Sequence, residues 1–209
     1  MSLNNRISPE ERRKAIKKLL NENSFMRVIE AHNGISAIIA NNVIERIGNE
    51  IFEFDGLWLS SLTDSAAKGY PDADIVGSES RYDTIRQILN SSNKPLIVDG
   101  DTGGDATNFE YFVRALEDMG VSMVIIEDKK FPKRNSLEPG SIQTQEDPDL
   151  FVIKIKRGKE VQLTSDFMIV ARIESLISGL GLKDALFRAK KYLLAGVDGV
   201  MIHSKDNDP

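Results

Sequence analysis

The stretch Pro95-Leu96-Ile97-Val98-Asp99-Gly100-Asp101-Thr102-Gly103-Gly104 contains an apolar run that ends abruptly in carboxylates and glycines. A short run without polar alternation is typical of a parallel strand that is buried on both faces. Asp99 and Asp101 are two residues apart, so their side chains point to the same side of the strand end. The stretch therefore predicts a buried parallel strand with two carboxylates at its carboxyl end.

Five further apolar runs of this kind lie along the chain, and stretches with helical periodicity separate them. The runs are Arg27–Ala31, Gly56–Leu59, Met123–Ile126, Phe167–Val170 and Gly199–Ile202. Strands and helices that alternate this often predict an α/β fold with a parallel sheet. Polar residues follow every run, and no G-x-G-x-x-G follows the first, which favours a (β/α) TIM-type barrel over an open dinucleotide-binding sheet.

The ends of several helices are marked by residues that cap them. Ser8-Pro9 with Glu11 predicts a capping box and a first helix to about Asn21. Gly120 and Gly196 each end a helical stretch just before an apolar run, where glycine supplies a left-handed cap.

The length of the chain is short for a complete barrel. Its 209 residues suit one domain, whereas an eight-stranded barrel typically needs about 250 residues. We therefore expect residues 1–209 to form a single (β/α) barrel domain that is incomplete at its C-terminus, with about six of the eight strands. The missing wall is expected from a longer natural chain or from elsewhere, because an open barrel exposes edge strands and apolar core.

Composition excludes several classes of site. The chain has no cysteine, which excludes disulfides and thiolate chemistry, and only two histidines, which disfavours a multi-histidine metal centre. Any metal is then a hard cation held by carboxylates and water. A net charge of −5 disfavours nucleic acid and anionic membranes as partners. The polar N-terminus and the lack of a long apolar run predict a cytoplasmic protein.

The ends of the predicted strands carry the candidate site, because in a β/α barrel they meet at one mouth. Asp99, Asp101 and Glu127 form a candidate Mg²⁺ site, since two or three carboxylates with retained water suit this ion. The alternative is that the aspartates cap the following helix or turn. Arg172 and His203 are candidate anion ligands; the alternatives are a salt bridge from Arg172 to Glu174 and a structural role for His203.

Residues 129–147 form a long loop without apolar periodicity, which is typical of a lid over an active site. Lys133 and Asn135 would place a positive charge and an amide over a bound anion. The alternative is a solvated loop without a role. We expect this lid segment to be mobile without ligand and to close over a bound phosphonate.

The strand ends, in this order, resemble the phosphoenolpyruvate mutase / isocitrate lyase superfamily over nearly the whole chain. Within it the mutases are the most similar. The motifs are Glu30-Ala31-His32-Asn33-Gly34, Trp58-Leu59-Ser60-Ser61, Tyr70-Pro71 followed by Asp72, Asp99-Gly100-Asp101-Thr102-Gly103, and Val170-Ala171-Arg172-Ile173-Glu174. The most specific is Glu127-Asp128-Lys129-Lys130-Phe131-Pro132-Lys133-Arg134-Asn135-Ser136, similar to the mutase signature E-D-K-x-x-x-K-x-N-S.

The resemblance implies interconversion of phosphoenolpyruvate and phosphonopyruvate, for phosphonate biosynthesis. It implies Mg²⁺ on Asp99, with Asp101 and Glu127 acting largely through water. For the pyruvyl part of the substrate, the resemblance implies that backbone amides near Ser60 and Ser61 hold the carboxylate and that Trp58 packs on the planar unit. For the phosphoryl part, it implies that the oxygens are held by Arg172, His203 and Asn135. It also implies that Lys133 closes the lid and that Asp72 either accepts or steers the phosphoryl group.

Alternatives within the superfamily differ in the lid segment. Isocitrate and methylisocitrate lyases carry an essential lid cysteine, which this chain lacks. Phosphonopyruvate hydrolases tend to carry threonine where this chain has Asn135, and many mutases have a glycine where it has Phe131-Pro132. The alternatives to a mutase are therefore such a hydrolase, another 2-oxo acid enzyme of the superfamily, or a non-catalytic barrel fragment. We expect a small-molecule substrate and a homo-oligomer.

Overall fold

The computed structural model describes residues 7–23, 25–136, 138 and 140–205. The helices are α1 (Pro9–Glu22), α2 (Gly34–Asn42), α3 (Ser61–Ala67), α4 (Ser78–Ser91), α5 (Ala106–Met119), α6 (Pro148–Glu160) and α7 (Gly181–Ala195). The strands are β1 (Val28–Glu30), β2 (Ile44–Ile47), β3 (Glu50–Glu53), β4 (Gly56–Leu59), β5 (Leu96–Asp99), β6 (Met123–Glu127), β7 (Met168–Ile173) and β8 (Gly199–Ile202). The polar N-terminus and the last residues of the predicted domain, 1–6 and 206–209, lie outside the described part.

Six strands form one parallel sheet in the order β1-β4-β5-β6-β7-β8, curled into half of a TIM-type barrel. Each corresponds to one of the six apolar runs, so the predicted α/β fold and the strand count are confirmed. An antiparallel hairpin of β2 and β3 lies outside this sheet and was not predicted. Its two-residue turn begins at Gly48, whose φ of +63° favours glycine, and the dipeptide Gly48-Asn49 was the available signal.

The sheet separates two apolar clusters, because side chains alternate between its faces. On the outer face, Leu57, Val98 and Ile126 pack against the helices in the larger cluster. On the concave face, a smaller cluster includes Ile97 and Ile125. This second cluster fills the lower part of the half-barrel, and Ile16 of α1 belongs to it. Among the described helices, none is long and apolar enough to cross a membrane.

The predicted helix caps are present. The Ser8 hydroxyl accepts from the Glu11 amide, and the Glu11 carboxylate accepts from the Ser8 amide, so the capping box is formed in both directions. Gly120 and Gly196 end α5 and α7 in the left-handed conformation, with φ of +82° and +104°. Only at Gly120 does another part of the chain approach closely, because a Cβ there would lie 2.5 Å from Pro9 Cα.

Gly120→Ala is therefore expected to destabilise the protein more than Gly196→Ala. Both variants place alanine in the left-handed region, which costs about 1–2 kcal/mol. Gly120→Ala adds overpacking against the start of α1, which typically costs about 1–3 kcal/mol more. At Gly196 the nearest atom would be 3.8 Å from the new Cβ. Urea unfolding of both variants measures the difference, and equal losses would show that the contact with Pro9 is relieved without cost.

Candidate active site

The carboxyl ends of the central strands bring three predicted site residues to the concave face. Ile97 and Ile125 lie in the concave cluster, so Asp99 and Glu127, two positions further along β5 and β6, face the same side. Arg172 on β7 is the ladder neighbour of Glu127. The three side chains therefore stand side by side at the top of the half-barrel.

The end of β4 adds the residues that the resemblance assigned to substrate binding. Trp58 is half-buried and packs on the concave cluster. Ser60 directly precedes α3 and Ser61 begins it. Both the amide and the hydroxyl of Ser61 donate to Asp99 Oδ2, at 3.4 and 3.0 Å. Ser61 thus lies beside Asp99, and contact of any of the three residues with a substrate stays a prediction.

Lys133 of the lid segment inserts its ammonium group among the carboxylates. Its Nζ lies 2.7 Å from Asp101 Oδ1, 2.9 Å from Asp72 Oδ1 and 3.7 Å from Glu127 Oε1. It also donates to the Ser61 hydroxyl at 3.2 Å. The Lys133 side chain therefore contacts four residues that lie in different parts of the chain.

Asp72 receives a second lid residue. Asn135 Nδ2 donates to Asp72 Oδ2 at 3.1 Å, while Lys133 contacts the other oxygen of the same carboxylate. Ser61 lies 3.3 Å from that second oxygen as well. The predicted lid residues Lys133 and Asn135 and the predicted acid Asp72 are thus brought together over the strand ends.

Arg172 and His203 form a second cluster around Glu174. Arg172 Nη2 lies 2.7 Å from His203 Nδ1, and both residues contact Glu174 Oε1. The salt bridge proposed as the structural alternative for Arg172 is therefore formed. Arg172 nevertheless also faces the mouth, since its Nη2 is 3.7 Å from Glu127 Oε2.

Burial and neighbouring charges shift the pKa values of the groups around Lys133. Burial raises the pKa of Glu127 to about 8, although the surrounding cationic groups oppose the rise. Burial disfavours the charge on Lys133, but Asp101 and Glu127 outweigh it and raise the pKa of this ammonium above its usual range. Glu127 Oε1 is buried and accepts no hydrogen bond, whereas Asp101 Oδ1, also buried, is contacted by Lys133 Nζ at 2.7 Å. Additional positive charge would be stabilised here.

The donor set fits a hard divalent cation. The described residues contain no group of three acidic, histidine or cysteine side chains already gathered at metal-ligand spacing; the Lys133 ammonium stands among the carboxylates instead. Carboxylate oxygens suit Mg²⁺, which keeps several of its waters. Asp99, Asp101 and Glu127 would hold such an ion, partly through water.

Several residues of the site were not predicted from the sequence. Arg81 of α4 is buried and donates to Asp101 Oδ2 at 2.6 Å. Asp74 accepts from the Lys133 amide at 3.1 Å and so fixes one end of the lid segment. Asp128 contacts Arg188 of α7 and not its neighbour Lys129. The signal for Arg81 was its place at helical spacing with the buried Ile85 and Ile88; no signal in the sequence pointed to Asp74.

The ionisation of Glu174 makes the stability of the fold depend on pH. Burial alone would raise its pKa, but the hydrogen bond with His203 and the charges of Arg172 and Lys129 lower the pKa to about 2, from 4.5. A lowered carboxyl pKa stabilises the fold above pH 4.5, and this contribution is lost as the pH falls towards 2. A difference of this size corresponds to about 3 kcal/mol.

Glu174→Gln is therefore expected to reduce the free energy of unfolding at neutral pH and to flatten its fall between about pH 4.5 and 2. Urea unfolding at a series of pH values measures both effects. Glu160→Gln, which removes an exposed carboxyl group from α6, is the control. A Glu174→Gln curve that runs parallel to that of the parent would show that this carboxyl group contributes nothing to acid sensitivity.

The half-barrel with an acidic mouth defines the fold class as the TIM-type barrel that is also found in a solved phosphoenolpyruvate phosphomutase. Residues 16–209 match the sequence model of the family described as phosphoenolpyruvate phosphomutase. The chain therefore belongs to the phosphoenolpyruvate phosphomutase family, and the resemblance seen in its motifs is confirmed.

Three relatives illustrate the match. A phosphoenolpyruvate phosphomutase of Tetrahymena pyriformis is 37% identical over 100% of this chain and 67% of its own length. The crystal structure of a phosphoenolpyruvate phosphomutase from Streptomyces platensis subsp. rosaceus superposes with a TM-score of 0.82 at 39% identity, over 92% of this chain and 64% of that one. A phosphonopyruvate hydrolase in complex with oxalate and Mg²⁺ has a TM-score of 0.81 at 32% identity, over 95% and 65%. This chain thus spans about two thirds of the length of these proteins.

Proposed function

We propose that this chain provides the active-site part of a phosphoenolpyruvate mutase, which interconverts phosphoenolpyruvate and phosphonopyruvate with Mg²⁺ for phosphonate biosynthesis. The observation that carries the proposal is the meeting of lid and mouth at Asp72. Lys133 and Asn135 both contact this carboxylate, directly above the Asp99 and Glu127 strand ends. A small doubly anionic substrate bound there would be enclosed by the lid.

The chemistry requires a site that positions charge. The phosphoryl group leaves oxygen and is captured by carbon, so the reaction needs no net proton and no water. Phosphoryl transfer passes through a loose state in which charge is spread over the phosphoryl oxygens, and positioning with electrostatic stabilisation dominates catalysis. Asp99, Asp101 and Glu127 would hold Mg²⁺, which would supply positive charge where negative charge develops on the pyruvyl oxygens.

The chain's own residues would hold the two ends of the substrate apart. Trp58 packs on the planar pyruvyl unit, and the backbone amides near Ser60 and Ser61 hold its carboxylate. Arg172 and His203, which contact each other at 2.7 Å, hold phosphoryl oxygens together with Asn135 from above. Asp72, which contacts Ser61 and Asn135, either accepts or steers the transferred phosphoryl group.

Lys133 closes the site. Its ammonium group neutralises the carboxylates when the lid segment is shut, and its side chain is only 4% exposed. A shut lid keeps water away from the phosphoryl group, and water would otherwise convert the transfer into hydrolysis. Exclusion of water therefore distinguishes a mutase from a hydrolase that is built on the same residues.

The second candidate is a phosphonopyruvate hydrolase. It is favoured by the hydrolase structure that superposes almost as well as the mutase. Asn135 favours the mutase. Another 2-oxo acid enzyme of the superfamily and a non-catalytic fragment are further alternatives. We expect a cytoplasmic homo-oligomer with a small-molecule substrate and without nucleic acid or membrane partners.

Phosphorus NMR of phosphonopyruvate incubated with the protein and Mg²⁺ tests the proposal. Formation of phosphoenolpyruvate supports the mutase. Free phosphate as the sole product supports the hydrolase and overturns the proposal, and an unchanged substrate overturns both. A parallel incubation without Mg²⁺ tests the metal requirement in the same spectra.

A further inference from the structure

Arg81 is a buried cation that reaches the acidic cluster from α4. Its side chain is 5% exposed. Nη1 donates to the Asp99 carbonyl at 2.7 Å and Nη2 to Asp101 Oδ2 at 2.6 Å, so one planar group holds both ends of the Asp99–Asp101 turn. Nε lies 3.9 Å from Asp64 Oδ2. A guanidinium fork can make these two parallel contacts, whereas an ammonium group acts as a point charge.

The turn that Arg81 holds is unusual in its backbone. Asp101 has a φ of +53°, a left-handed conformation that a residue other than glycine rarely adopts. Its amide donates to Asp99 Oδ1 at 3.1 Å, which ties the two carboxylate-bearing residues together. Such a conformation persists only where the surroundings hold it.

A second buried cation holds the next residue of the same turn. Lys154 of α6 donates to the Thr102 carbonyl at 2.7 Å and is likewise 5% exposed. Lys154 therefore shares the burial and the backbone contact of Arg81. Of these two side chains, only Arg81 also donates a hydrogen bond to a candidate metal-binding carboxylate.

Arg81 and Lys133 divide the carboxylate of Asp101 between them. Arg81 takes Oδ2, and Lys133 of the lid segment lies at 2.7 Å from Oδ1. Arg81 belongs to a helix of the barrel, so its contact does not depend on the lid. The predicted opening of the lid would release Oδ1 towards the mouth, while the contact of Arg81 would keep Oδ2 in place.

We propose that Arg81 is a positioning residue that presents the carboxylates of Asp99 and Asp101 to a divalent cation in one fixed arrangement. It does so from behind the turn and touches neither the ion nor the substrate. The proposal rests on the Mg²⁺ site of the proposed function. Residues that orient metal ligands typically change metal affinity by about 10–100-fold when they are replaced.

Arg81→Lys, which keeps the charge and loses the fork, is the main variant, and Arg81→Gln is the second. Binding of Mg²⁺ to the whole chain is measured by calorimetry, with Mn²⁺ electron paramagnetic resonance as an independent readout. We expect Arg81→Lys to weaken binding by about 10–100-fold. Turnover should then recover at high Mg²⁺ concentration. Lys154→Met is the matched control, expected to lower the melting temperature while it retains the parent affinity for Mg²⁺.

The outcomes separate the proposal from the function on which it rests. If the parent binds Mg²⁺ and folded Arg81→Lys and Arg81→Gln bind it equally well, the positioning role is wrong and the Mg²⁺ site stands. If Lys154→Met weakens binding as much as Arg81→Lys, Arg81 is merely structural. If the parent binds no divalent cation, both the Mg²⁺ site and the role of Arg81 are refuted.

Discussion

Lys133→Met is expected to lower mutase turnover by about 10²–10³-fold, which is the typical loss when one group that stabilises transition-state charge is removed. The ammonium group lies within 3.7 Å of Asp72, Asp101 and Glu127, and although burial disfavours its charge, the neighbouring carboxylates keep it protonated. Methionine retains most of the side-chain volume and removes only the charge. The lid would then close over carboxylates that lack compensation, which is unfavourable.

The measurement is single-turnover conversion of phosphonopyruvate, followed by phosphorus NMR, beside urea unfolding of the same variant. Because the lid segment is predicted to open and let water reach the carboxylates, the free energy of unfolding should change much less than the rate. Lys130→Met is the matched control, since Lys130 is an exposed lysine of the same segment. Equal turnover in parent and Lys133→Met would remove Lys133 from the mechanism.

The sequence predicted the strands well because the information was local. Each strand of the barrel is a continuous apolar run, and the run determines burial whatever follows it in the chain. The same runs locate the site, because parallel strands meet at their carboxyl ends. Asp99, Glu127 and Arg172 could therefore be placed at one mouth before any coordinates were known.

The contacts across the mouth depend on packing between distant parts of the chain, which a local pattern does not encode. Arg81 lies 20 residues before Asp101 in sequence, and its helical spacing with Ile85 and Ile88 was the only signal of its burial. Asp128 contacts Arg188 and Tyr192 of α7 and not its neighbour Lys129. Lys129 instead lies 3.4 Å from Glu174.

The lid segment shows the same difference between what a local sequence pattern predicts and what tertiary packing determines. Its lack of apolar periodicity predicted a loop, and the described residues between Lys129 and Asp147 contain no helix. Its mobility without a ligand and its closure over a phosphonate stay predictions. What the segment contacts follows from the tertiary fold: the Lys133 amide is held by Asp74, 59 residues earlier.

The second prediction concerns Asn135, on which the preference for a mutase over a hydrolase rests. Its amide donates to Asp72 at 3.1 Å, and the Asn135 carbonyl accepts from Gln143 across the lid segment at 3.0 Å. The residue therefore links the lid to Asp72, the acid that we propose accepts or steers the phosphoryl group. Asn135→Ala removes a side-chain donor over the reacting group and is expected to lower mutase turnover by about 10²–10³-fold. Substrate binding should weaken much less, because the remaining anion ligands are kept.

Asn135→Thr is the sharper test, because threonine is the residue that hydrolases tend to carry. Threonine is shorter and cannot reach as the amide does, so the closed lid would leave room for a water molecule beside the phosphoryl group. Capture by water then competes with capture by carbon, and the ratio of free phosphate to phosphoenolpyruvate should rise even where total turnover falls. Phosphorus NMR gives both products in one spectrum. The control is Gln143→Ala, which removes the hydrogen bond to the Asn135 carbonyl and so loosens the lid segment, but keeps the Asn135 side-chain amide. An unchanged rate and product ratio in both Asn135 variants would remove the main support for a mutase over a hydrolase. An increase in phosphate in Gln143→Ala equal to that in Asn135→Thr would assign water exclusion to the order of the lid rather than to the amide.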